Sequence, residues 1–121
     1  MKLKKVGIYK ELSYGEENDP SIFDVIGSEI SNKKEICNYL KSGFVLAACA
    51  GTVSDVINPE KGIIGPPDCL TDGTWIWYAD LAYYVAEYNL KPDEAFLEHM
   101  KNNSWKIPEN IDIDSDNVEM E

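Results

Sequence analysis

The chain has 121 residues, of which 11 are lysine, none is arginine and 22 are acidic, giving a net charge of −11. That length suits one domain, and a composition of 44% hydrophobic and 27% charged residues excludes a disordered chain, a collagen and a membrane protein. The acidic balance argues against naked nucleic acid as a partner, because phosphate binding needs a basic face. The lack of arginine removes the side chain best suited to bidentate phosphate recognition.

Residues 2–9 alternate weakly through Val6, Ile8 and Tyr9, which predicts a first strand or strand-like arm. Residues 10–20 are polar and turn-rich and read as a loop. Asp19-Pro20 has the form of a helix start, with Asp19 as cap, so residues 21–26 predict a short helix stopped at Gly27; an edge strand fits the same residues. Asn32 followed by Glu35 has the spacing of a capping box, and Ile36, Tyr39 and Leu40 share one helical face up to Gly43, expected as the left-handed C-cap. The apolar run 44–50 then predicts a strand buried on both faces at the centre of the sheet. Residues 51–61 read as loop, and 62–65 as a short strand ended by Pro66-Pro67.

Asp72-Gly73 between two β-forming stretches is the strongest hairpin signal in the chain. Alternation places Trp75 and Trp77 on one face of the second strand and Ile76 on the other. A helix follows from residue 79 or 80, with Leu81, Tyr84, Val85 and Tyr88 as its core stripe and Tyr83 turned about 100° away toward the surface. Pro92-Asp93-Glu94 opens a further helix, whose apolar face carries Phe96, His99 and Met100. The last 15 residues, 107–121, hold six acids and no lysine or aromatic residue and read as an acidic, mobile tail. Together these elements predict a single α+β domain over residues 1–106: a small, mainly antiparallel sheet with the 33–42 helix and the 79–101 helical pair packed on it.

Catalytic chemistry has little material. The single histidine, His99, lies on the apolar side of its predicted helix beside Phe96 and Met100 and fits a satisfied core position better than a general base, and no nucleophile shares a motif with it. The spacings of zinc sites, P-loops and dinucleotide folds are lacking. Asp112, Asp114 and Asp116 alternate like the start of a calcium loop but lack its glycine and its closing glutamate, so a solvated tail is the better reading. No catalytic residue, metal or cofactor is expected. The first ten residues are basic without the roughly 7–15-residue apolar run of an export signal, and three cysteines in no CxxC pair suit buried thiols rather than disulfides. These features predict a cytoplasmic protein.

Residues 72–88 are dense in aromatic and acidic side chains. Tyr84 and Tyr88 belong to the core stripe. Asp72, Trp75, Trp77, Asp80 and Tyr83 are the candidate binding residues, since aromatic anchors ringed by acids are typical of protein interfaces. The stretch from Leu70 to Val85, continuing to Tyr88 and Phe96, resembles a family of small bacterial proteins with the pattern TDGxWxWxxDLAYYVxxY. Tyr39-Leu40-Lys41-Ser42-Gly43 and Asp55-Val56 are similar to elements upstream of it. The family's usual proline after the second tryptophan is Tyr78 here. By analogy, such proteins are like the immunity proteins of bacterial toxin systems in being small, single-domain and acidic. The expectation is therefore a binding protein that masks a basic protein partner, with no membrane and no nucleic acid. The alternative is a small-molecule or regulatory module with an aromatic pocket between strand 75–77 and the 79–101 helices.

Overall fold

Residues 2–48, 50–109 and 119–120 are described in the computed structural model. In chain order their elements are β1 (Lys2–Lys5), a 3₁₀ turn (Ile22–Asp24), α1 (Lys33–Lys41), β2 (Phe44–Ala47), β3 (Val53–Ser54), a 3₁₀ turn (Pro59–Lys61), β4 (Ile63–Gly65), β5 (Cys69–Thr71), β6 (Trp75–Tyr78), α2 (Asp80–Tyr88), α3 (Glu94–Asn102) and β7 (Glu119–Met120). The main sheet has the order β2-β5-β6-β1-β7, and β3 and β4 form a separate ladder. The pairs β2–β5, β5–β6 and β3–β4 are antiparallel, whereas β1 runs parallel to β6 and to β7. The architecture is α+β, as the sequence predicts. Residues 110–118, which include Asp112, Asp114 and Asp116, and Cys49 lie outside the described residues.

The middle of the sheet is β6, not the apolar run 44–50. Trp75, Ile76 and Trp77 are all buried, so β6 is covered on both faces. The tryptophan face is closed by Phe96 of α3, with ring centroids 5.3 Å from Trp75 and 5.4 Å from Trp77, and by Tyr39 of α1 at 6.0 Å from Trp77. The Trp77 indole N–H donates to the Leu40 carbonyl (3.0 Å), which ties the strand to α1. On the opposite face Tyr14 stacks on Tyr78 at 3.9 Å, so the polar-looking 10–20 loop folds inward and buries Leu12.

By contrast β2 is an edge strand, pairs only with β5 among the described residues, and leaves Val45 59% exposed. Its apolar length made it a candidate for the centre, but three aromatic residues in four positions of β6 remove more surface from water and take that place.

Gly43 has a role other than helix capping. Ser42 closes α1, its N–H reaching the carbonyls of Asn38 and Tyr39, both at 3.1 Å. Gly43 permits close packing instead: a Cβ there would lie 2.7 Å from Trp77 Cζ2 and 3.2 Å from Leu70 Cβ. At the other end of α1, Asn32 adopts φ 60° and makes no side-chain cap, so the capping box does not form. The helix start is held instead by Lys33, whose ammonium donates to Asn89 Oδ1 at 2.7 Å, at the end of α2. The short helix near residue 22 forms, with Ser21 rather than Asp19 as its cap. Asp19 accepts the Glu16 N–H in the preceding turn. Asp93 caps α3 through the Ala95 N–H, which leaves Pro92 just outside the helix.

Gly43→Ala is expected to cost about 2 kcal/mol of unfolding free energy, because the buried Trp77 ring cannot retreat. Val45→Thr on the exposed edge should change it by less than about 0.5 kcal/mol. Urea unfolding of the two variants checks both.

Candidate functional site

The five residues singled out in the sequence do not form one exposed patch. Asp72, Trp75, Trp77 and Asp80 are buried, and only Tyr83 is part-exposed. The space between β6 and the helices, where an aromatic pocket was expected, is filled by Phe96 and Tyr39.

Asp72 opens the β5–β6 turn and organises it. Its Oδ1 accepts the N–H groups of Thr74 (2.9 Å) and Trp75 (2.7 Å), and its Oδ2 accepts the Tyr39 hydroxyl (2.5 Å). His99 Nε2 lies 3.1 Å from the same Oδ2. Thr71 completes the turn, its Oγ1 donating to the Trp75 carbonyl (2.6 Å) and accepting the Gly73 N–H (3.0 Å). One carboxylate thus joins the hairpin to α1 and α3, and His99 has a structural partner there.

Asp55, which follows β3, is a second such hub. Its Oδ1 accepts the N–H groups of Ile57 (2.8 Å) and Asn58 (2.7 Å), and its Oδ2 the hydroxyls of Tyr83 (2.7 Å) and Tyr88 (2.6 Å). Burial acts to raise its pKa, but the donors from Asn58, Tyr88, Tyr83 and Ile57 together hold it below the ordinary 3.8. Tyr84 adds a hydroxyl that accepts the Val56 N–H at 3.0 Å. Three tyrosines of α2 therefore fasten the 54–58 loop to the helix, and Tyr83 is part of that seam rather than a free surface anchor.

Asp80 differs. It is 2% exposed at the first turn of α2, and its Oδ1 accepts the Tyr14 hydroxyl, while Oδ2 is buried with no hydrogen-bond partner among the described residues. Burial pushes its carboxyl above the ordinary 3.8, against the opposing pull of Tyr14 and of its own N–H.

Among the described residues, neither Trp75 nor Trp77 lines any of three clefts that open on the surface. The largest of these three, about 600 Å³, lies between the end of β1, the 19–28 segment and the start of α3. Four carboxylates line it (Asp19, Asp24, Asp93 and Glu94) against two lysines, Lys5 and Lys91. Lys91 is paired with Glu94 at 2.6 Å. Beside Asp24, Phe23 is 54% exposed. No local signal in the sequence separates Phe23 from its apolar neighbours Ile22, Val25 and Ile26.

Among the described residues there is no group of three or more His, Cys, Asp or Glu side chains that could hold a metal ion. Of the cysteines, Cys37 is buried in α1 and Cys69 is half-buried on β5. No described helix is long and apolar enough to cross a membrane. No family model matches the chain, and no curated protein or solved structure shows a significant match to it.

A carboxyl whose pKa is raised in the fold weakens the folded state above that pKa and has no such effect below about 3.8. Asp80→Asn keeps the acceptor for Tyr14 and removes the uncompensated charge. It should therefore raise stability at pH 7 by about 1 kcal/mol, with the gain shrinking as the pH falls toward 4. Urea unfolding across that range checks this, and a pH-independent effect would contradict it.

Proposed function

We propose that this chain is a small acidic binding protein, not an enzyme, which covers a basic face of a protein partner in the manner of an immunity protein masking a toxin. The observation that carries this reading is the acidic surface around residue 24, where Asp19, Asp24, Asp93 and Glu94 line one cleft and Phe23, next to Asp24 in sequence, is half-exposed. An exposed aromatic residue next in sequence to these acids fits the composition expected of a binding patch. Apolar burial of Phe23 would supply the affinity, and the acids would orient a cationic partner. The net charge of −11 adds long-range steering that salt weakens.

The test is capture from a lysate of the source cells on immobilised protein, washed at low and then moderate salt. The wild type should retain a basic protein that elutes as salt rises, and a Phe23→Ala/Asp24→Lys variant should lose it. Identical capture by the two would place the contact elsewhere, and a partner retained without regard to salt would contradict the electrostatic part of the reading.

A further inference from the structure

A second cleft, of about 400 Å³, lies between the loop after β1 and the 52–59 segment, with Asp80 in its lining. Its volume falls within the range of small-ligand sites, roughly 300–1,000 Å³. Leu12, Val56 and Pro59 give it apolar walls, Ser13 and Thr52 give it hydroxyls, and no lysine is among its described lining residues. Asp55 also lines it, but that carboxylate already accepts four hydrogen bonds.

Asp80 is the unusual member. Buried polar atoms in folded proteins are almost always hydrogen-bonded, and leaving one unpaired is costly. Here Tyr14 holds one carboxyl oxygen and thereby fixes the plane of the group, while the other oxygen lacks a donor. The missing group is a donor, and the two carboxyl groups with no cation beside them make a positively charged donor the best fit. Oδ2 has almost no surface open to water, so a donor reaches it only as the cleft lining gives way, and it then acts at reduced dielectric.

We propose that this cleft binds an alkylammonium group, whose N–H donors complete Asp80 Oδ2 and whose carbon chain lies against Leu12, Val56 and Pro59. An anion is disfavoured by both carboxyl groups, and a neutral alcohol offers a donor without the charge. The ammonium comes either from a free amine or from a lysine side chain. The site does not depend on the partner reading above, since a chain that captures no protein still binds the amine.

Titration of the full ¹⁵N-labelled chain with n-butylammonium, followed by amide shifts, is the test. Saturable shifts are expected at Leu12, Ser13, Thr52 and Val56, with a Kd of about 1 mM or below, and n-butanol should bind more weakly. Asp80→Asn should weaken n-butylammonium at least about tenfold, while Ser13→Phe, which fills the cleft from its exposed rim, should abolish the shifts and leave the core intact. Nα-acetyl-lysine-N-methylamide separates the sources. Binding equal to that of n-butylammonium assigns the ammonium to a lysine side chain, and binding of n-butylammonium alone assigns it to a free amine. Amides that stay unshifted in the folded protein, n-butanol binding as tightly as the amine, or an affinity unchanged by Asp80→Asn would each overturn the proposal and leave Asp80 to water only.

Discussion

Buried carboxylates satisfied by uncharged donors are the constraint on which this fold depends. The chain contains no arginine, so its buried aspartates cannot draw on the planar, weakly hydrated cation that best tolerates an interior. They use tyrosine hydroxyls and backbone N–H groups instead. Tyr39 donates to Asp72, Tyr83 and Tyr88 to Asp55, and Tyr14 to Asp80. Each bond joins segments distant in sequence, so each hub acts as a cross-brace as well as a satisfied charge. Removing one partner of such a hub strands the other in the interior, which costs more than the bond contributes on its own.

The three hubs form a series. Asp72 and Asp55 are surrounded, each accepting two backbone N–H groups and at least one hydroxyl, and they fix the β5–β6 turn and the 54–58 loop respectively. Asp80 has a single side-chain donor and an oxygen left over, beside a cleft. The first two arrangements are what a stable core requires. The third weakens the fold where it stands, and the proposed amine site gives that cost a use.

Much of the scaffold could be read from local patterns. The Asp72-Gly73 turn and the stripe Leu81, Tyr84, Val85 follow from spacing and turn chemistry alone, and the helices over 33–41, 80–88 and 94–102 lie where the pattern placed them. What could not be read depends on contacts far apart in the chain. Hydrophobicity marks the 44–50 run as apolar but does not say which strand the helices will cover, and Phe96 and Tyr39 chose β6. The aromatic and acidic density of residues 72–88 suits an interface in the sequence because composition alone does not separate a surface patch from a hydrogen-bonded core. Tyrosine beside aspartate fits both. The partner of Asp80 lies 66 residues away in a loop of polar character, and Phe23 stands out only once its neighbours leave it exposed.

A double-mutant cycle on Tyr39→Phe and Asp72→Asn, read by urea unfolding, tests the central claim most directly. If the hydroxyl and the carboxylate brace the hairpin against α1, the two substitutions will be coupled by about 1 kcal/mol or more. If their effects add to within about 0.3 kcal/mol, the tyrosine–aspartate bonds are by-products of packing and not what holds the elements together.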